Sequence, residues 1–224
     1  PGDHPLSMRA KRQKCIRARA QPMSSVGGGA EIGILAASDW NNPEPEVALA
    51  VTSKGKIIGA TLANDVNLRD MEGRSALLLG KAKDNNASSA IGPFIRLFDE
   101  HFTLDTVATA AISLDIEGED GFHLSGESDM SLISRSPQQL VSQAIGAHHQ
   151  YPDGLLLLLG TMFAPIQDRR APGQGFTHEA GDRVSISTPS LGTLINVTTT
   201  AEAAPPWTFG TGALMANLAK RGAL

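Results

Sequence analysis

Apolar positions along this chain recur mostly at a spacing of two, the period of a half-buried strand. Ala111-Ile-Ser-Leu-Asp-Ile-Glu117, Asp182-Arg-Val-Ser-Ile-Ser-Thr188 and Thr193-Leu-Ile-Asn-Val-Thr198 alternate in this way. Glu31–Leu35 predicts a short strand after the Gly27-Gly-Gly29 turn. Glu46–Thr52 and Ile57–Ala63 predict a hairpin closed by Lys54-Gly55-Lys56. Ile91–Leu97 predicts another strand, with Pro93 marking an edge or a bulge. Leu155–Leu159 is apolar throughout and predicts a buried strand. Residues 70–79 predict a loop or a short helix. Helical spacing is clear only after Ser136-Pro137. There Ser caps, Pro fits the first turn, and Leu140, Val141, Ala144, Ile145 and His148 form one stripe. Many strands and few helices predict an α+β, mainly β fold, a mixed-sheet roll or sandwich.

Residues 1–20 lack apolar periodicity and carry six Lys/Arg against one acid, Asp3, so they predict a basic arm or a truncated remnant. Removing them from the totals of 19 basic and 23 acidic residues leaves 13 and 22, a net charge of −9 for residues 21–224. A body this acidic is not expected to bind nucleic acid by bulk electrostatics. No apolar run approaches the ~20 residues of a membrane-spanning helix, and a single cysteine, Cys15, forms no internal disulfide. A cytoplasmic protein without a membrane partner is the expectation.

The chemistry concentrates in residues 43–96. In Pro43-Glu44-Pro45-Glu46, residues two apart share one face of a strand, so the two carboxylates project together. Such a pair is unfavourable unless a proton or a cation lies between them. The predicted hairpin returns Asn64-Asp65 to the same sheet end, so three carboxylates can meet there. Oxygen ligands of this kind suit Mg²⁺, or Mn²⁺ or Ca²⁺, over Zn²⁺. Taken alone, Glu-x-Glu reads first as solvated strand-edge charge. The cluster that follows, Val66-Asn67-Leu68-Arg69-Asp70-Met71-Glu72 with Lys81 and Lys83 behind it, argues for a site.

The order Glu44-Pro-Glu46-Val, Ala63-Asn-Asp-Val-Asn-Leu-Arg-Asp70, Gly80-Lys-Ala-Lys83 and Ile91-Gly-Pro93 resembles the fumarylacetoacetate hydrolase superfamily. Leu159-Gly-Thr161, Ala180-Gly-Asp-Arg-Val184 and Leu191-Gly-Thr-Leu194 resemble its later signatures, and the likeness spans roughly residues 21–200. The resemblance implies the family's mixed-sheet fold over 21–224, Mg²⁺ held by Glu44, Glu46 and Asp65, and a small 2-oxo acid substrate. It places Arg69 near the substrate and Thr161 at the substrate's carboxyl end, with Ser25 as a further substrate contact. Two lysines match the family's lysine. Lys81 follows from the hydrolases' Gly-Lys-Ser and Lys83 from the sugar-acid dehydratases' spacing; Lys83 is preferred as the proton-transfer base, with Lys81 kept as a substrate contact. Glu72 stands where the hydrolases often have Gln and is expected to act as an acid or to position water.

Glu72, the 19-residue interval from Glu46 to Asp65, Gln21–Ser25 and Asp39–Asn42 resemble the dehydratase branch. The expected reaction is dehydration of a 2-keto-3-deoxy-pentonate such as 2-keto-3-deoxyarabonate to 2,5-dioxopentanoate through a metal-stabilised enolate. The alternatives are hydrolysis of the C–C bond of a 2,4-dioxo acid with release of pyruvate, and an inactive scaffold or binding protein. The upstream His/Glu pair typical of the hydrolases is represented only by His4. A homodimer is expected by analogy. His148-His149 predicts a helix end rather than a metal ligand pair. The Gly/Pro-rich residues 164–179, which include Asp168-Arg169-Arg170 and His178, predict either a lid or a plain surface loop.

Overall fold

Residues 20–224 are described by a computed structural model. The expected basic arm, with Cys15 and His4, lies outside the described residues. In chain order the strands are β1 (Ser25–Val26), β2 (Glu31–Ile34), β3 (Asn41–Asn42), β4 (Pro45–Val51), β5 (Ile57–Asp65) and β6 (Asn67–Leu68). Helix α1 (Arg69–Glu72) and helix α2 (Leu79–Lys83) follow, then β7 (Ser89–Leu97) and α3 (Leu104–Ala108). The rest comprises β8 (Ala111–Glu117), β9 (His123–Asp129), α4 (Pro137–Ala144), β10 (Leu155–Leu158), β11 (Arg183–Thr188), β12 (Gly192–Thr200) and α5 (Thr211–Lys220).

Two five-stranded mixed sheets result, ordered β1-β7-β5-β4-β10 and β2-β12-β11-β8-β9, with β3 and β6 forming a two-stranded ribbon. Strands β8 and β11 bury alternate residues, as their sequence period requires: Ile112, Leu114 and Ile116 from one, Val184 and Ile186 from the other. These side chains join Val47, Leu49 and Leu62 of the first sheet in one core. Strand β4 is buried along its whole length, because it lies between β5 and β10 and has both faces covered. The fold is therefore mainly β with curled mixed sheets, as the alternation predicts.

Differences from expectation have local causes. The Leu155–Leu159 run pairs with β4 as the outermost strand of its sheet, so Leu156 is 40% exposed rather than buried. Helix α4 has the Ser136–Gln139 capping box and Pro at its start, but it stops at Ala144. Ile145 is extended and Gly146 pairs with His149 in a turn, so the apolar stripe breaks before His148. Pro93 follows a cis peptide bond at an irregular step, where Ala60 pairs with Arg96 and Leu62 with Gly92. Strand β9 has no clear alternation because its residues are largely polar; it is held by full pairing with β8. Helix α5 has no buried residue and gave no amphipathic signal strong enough to predict it.

Candidate metal centre

The β4–β5 hairpin brings the acids together by register. Pro45 pairs with Asn64 and Glu46 with Ala63, so the Asp65 N–H donates to the Glu44 carbonyl at 3.1 Å. One carboxylate oxygen from each of Glu44, Glu46 and Asp65 lies within 4.8 Å of the others. Glu44 and Glu46 are buried, whereas Asp65 is half-buried and opens the site to solvent.

Lys83 is the counter-charge. Its ammonium sits 2.7 Å from Glu44 Oε2 and 2.9 Å from Asp65 Oδ2, and the residue is 3% exposed. Residues two apart on a helix point to nearly opposite sides. Helix α2 therefore turns Lys83 inward and leaves Lys81 exposed, so the structure brings Lys83, and not Lys81, to the acids. Burial lowers the proton affinity of Lys83, but Asp65 and Glu44 outweigh it and hold the ammonium protonated above the ordinary lysine value.

Three carboxylates share this one ammonium. Burial pushes the Glu46 carboxyl well above its ordinary value, and Asp65 and Glu44 push it further; Lys83 and the Gly160 N–H, which donates to Glu46 Oε2 at 2.7 Å, only partly oppose them. Burial raises Glu44 as well, against the pull of Lys83. A buried acidic triad short of positive charge, built from hard oxygen donors, fits a divalent cation such as Mg²⁺.

The other expected residues surround this centre unequally. Arg69 begins α1, which the β3–β6 ribbon sets beside the triad. Its guanidinium lies 5.4 Å from the Trp40 ring centroid and donates to the Pro165 carbonyl at 3.1 and 3.2 Å. Burial lowers its pKa while Glu44 and Glu72 raise it, so both acids act on it electrostatically. Glu72, one turn along α1, is half-buried, and its charge also raises Glu44. Thr161 follows the Gly160 that holds Glu46, and its hydroxyl binds Phe163 O at 3.0 Å and Ser128 Oγ at 3.3 Å. Ser25 stands two strands from Asp65: its hydroxyl is 2.7 Å from that of Ser89, which pairs with Asp65. His148 and His149 take no part.

Residues 164–179 form a pinned wall. Arg69 holds Pro165, and Asp168 accepts from the Gly173 and Gly175 N–H groups at 2.7 and 2.6 Å. Arg169 forks onto Asp182 at 2.6 and 2.7 Å, reaches Asp120 at 3.1 Å and covers the Phe122 ring. His178 Nδ1 lies 2.9 Å from Asp182 Oδ2. The sequence left these charged residues as part of either a lid or a plain surface loop, and their shared partner was not foreseen. Asp182 carried a signal, the Gly-Asp-Arg run, but nothing local shows that it meets Arg169 and His178. Asn67, whose amide donates to Glu44 Oε1 at 3.1 Å, was also missed.

The family model for the fumarylacetoacetate (FAA) hydrolase C-terminal domain matches residues 5–199. The chain belongs to the fumarylacetoacetate hydrolase family. Two curated relatives within that family are dehydratases. The 2-dehydro-3-deoxy-D-arabinonate dehydratase of Saccharolobus solfataricus is 33% identical over 180 residues, 79% of this chain and 56% of the relative. The probable 2-keto-3-deoxyxylonate dehydratase of Haloferax volcanii is 31% identical over 182 residues, 81% of this chain and 59% of the relative. This member of the family thus spans less than two thirds of the curated relatives it matches. A solved 2-keto-3-deoxy-D-arabinonate dehydratase, complexed with magnesium and 2,5-dioxopentanoate, superposes with a TM-score of 0.72 at 28% identity, covering 89% of this chain and 69% of that one. Among the described residues, no helix is long and apolar enough to cross a membrane.

Proposed function

We propose that the chain carries the active site of a Mg²⁺-dependent dehydratase that converts a 2-keto-3-deoxy-pentonate to 2,5-dioxopentanoate. The observation that carries this reading is the buried Glu44–Glu46–Asp65 triad with Lys83 against two of its members. The dehydratase relatives favour this reaction over others of the family.

The chemistry requires removal of a C3 proton and departure of the C4 hydroxyl as water. A C5 proton must then be removed and a proton returned to C3; the resulting C4–C5 enol becomes the aldehyde by protonation at C4 and loss of the C5 hydroxyl proton. Glu44, Glu46 and Asp65 would hold Mg²⁺, which would supply positive charge to polarise the 2-keto group and acidify C3. Lys83 is the proton-transfer group. Glu44 and Asp65 hold it against the triad, at 2.7 and 2.9 Å, where it can give a proton to the substrate or take one from it. Glu72 protonates the departing hydroxyl or positions the water formed. Arg69 and Thr161 orient the substrate, Arg69 by charge and Thr161 from the Gly160–Phe163 turn beside Glu46. Ser25 and Lys81 are outer substrate contacts at most, one across two strands and the other on the exposed side of α2.

We assign residues 21–224 to this catalytic unit and expect it to act as a cytoplasmic homodimer. The test is incubation of purified protein with 2-keto-3-deoxyarabonate and with an acylpyruvate, each with Mg²⁺ and with EDTA. Mg²⁺-dependent dioxopentanoate from the first is the expected result. Pyruvate from the second alone replaces the dehydratase with a C–C hydrolase, and no product from either leaves a binding protein of the same fold.

A further inference from the structure

Asn67 lies two residues beyond Asp65, yet its amide reaches across to the other arm of the hairpin. Its Nδ2 donates to Glu44 Oε1 at 3.1 Å, while Lys83 occupies Glu44 Oε2 at 2.7 Å. The two oxygens of Glu44 are thus divided, one held by an uncharged donor and one turned toward the site. The ribbon makes this possible. Asn42 of β3 pairs with Asn67 of β6, so the segment entering Glu44 and the segment leaving Asp65 are stitched together beside the triad. Neither amide is satisfied in return: Asn67 Oδ1 and Asn42 Oδ1 are both buried without a partner, and so is Asn64 Nδ2, on the residue whose Oδ1 accepts from the Glu44 N–H at 3.3 Å. A residue kept solely for packing would not bury an unpaired carbonyl, since an apolar side chain of equal size avoids that cost.

We propose that Asn67 is a positioning residue for the metal centre. It ties Glu44 to the Asp65 arm, fixes which carboxylate oxygen faces the cation, and so pre-forms the triad. The inference rests on the metal reading given above. Partners of this kind behind a metal ligand typically control affinity by about 10–100-fold.

The test is Mn²⁺ binding, read by electron paramagnetic resonance and calorimetry, on the parent protein, Asn67→Leu and Asn67→Ala. Leu keeps the volume and removes both the donor and the orphan carbonyl; Ala truncates without adding bulk. The expected result is a Kd raised at least tenfold in whichever variant keeps its metal-free Tm within a few degrees of the parent. In dehydration assays the Mg²⁺ concentration for half-maximal rate rises in parallel, and kcat returns toward the parent value at saturating Mg²⁺. A shift of less than tenfold in a folded variant overturns the inference and leaves the metal reading intact. Loss of folding in both variants also overturns it, because Asn67 is then a structural residue. Absence of saturable Mn²⁺ binding by the parent overturns the metal reading and this inference with it.

Discussion

Asp182 shows how one side chain can organise a wall of the site. It accepts two hydrogen bonds from Arg169, lies against His178 Nδ1 and takes the Glu179 N–H at 3.0 Å, all out of reach of water. Burial works to raise its pKa, but the hydrogen bonds from His178 and Arg169 prevail and hold it below the usual carboxylate value. Removing one member of a buried ion pair strands the other, which costs about 3–5 kcal/mol. Asp182→Ala is expected to lose stability on that scale in urea unfolding. His178 gives the pH dependence. Burial lowers its pKa below 6.5, against the pull of Asp182, so the folded protein keeps the ring neutral where the unfolded chain already binds a proton. The unfolded state therefore gains protons first, and stability falls as pH drops below about 6.5. Asp182 adds a loss at lower pH, as its carboxylate finally protonates. Urea unfolding measured between pH 7.5 and 5 is expected to show this decline, with a smaller slope in His178→Phe. Glu46 behaves oppositely in the metal-free protein. Its raised pKa marks an unfavourable buried charge, so Glu46→Gln is expected to leave the metal-free Tm equal or higher while abolishing Mg²⁺ binding.

Among the elements, the β4–β5 hairpin and helix α2 do most to build the centre. The hairpin's turn and apolar strands were plain in the sequence, and its length alone returned Asp65 to Glu44. Helix α2 was not: the loop or short helix expected over 70–79 stops where α2 begins, and only its orientation separates inward Lys83 from exposed Lys81. Strand β9 packs against the turn that follows Gly160, where Ser128 binds Thr161 and Met162. A Cβ at Gly126 would collide with the ring of Phe163, three residues beyond the Gly160 that holds Glu46. Gly126→Ala is therefore expected to turn the Phe163 ring out of its place, read as a change in near-ultraviolet circular dichroism with the far-ultraviolet spectrum unchanged. At Gly33 a Cβ would meet the Asn86 carbonyl and the Ala201 backbone, which cannot rotate away. There the expected effect of alanine is on folding yield and Tm instead.

At the scale of the whole molecule, the metal centre ties folding to ligand. The triad joins β4, β5 and, through Gly160, the connection from β10 to β11, so a cation bound only by the folded state stabilises all three. At a free Mg²⁺ concentration 100 times Kd the gain is about 2.7 kcal/mol. A rise of several degrees in Tm, reversed by EDTA and absent in Glu46→Gln, is the expected observation. Burial and mutual repulsion raise Glu46 and Glu44, so protons compete with the cation for these oxygens. Affinity is expected to increase with pH, and calorimetry in buffers of different ionisation enthalpy should show proton release.

The sequence alone determined the mainly β body, the hairpin and the three acids at its open end, because strand period and turn chemistry are local properties of consecutive residues. It also carried the ordered motifs of the family. It left two lysines for one role, a choice between lid and loop for residues 164–179, and no hint that Asn67 reaches Glu44 or that Arg169 and His178 share Asp182. Those pairings join residues of different strands and loops. Only the packing of two sheets, the facing of a five-residue helix and the burial of charge decided them, because a carboxylate's partner is set by which donor the fold brings within about 3 Å once water has been excluded.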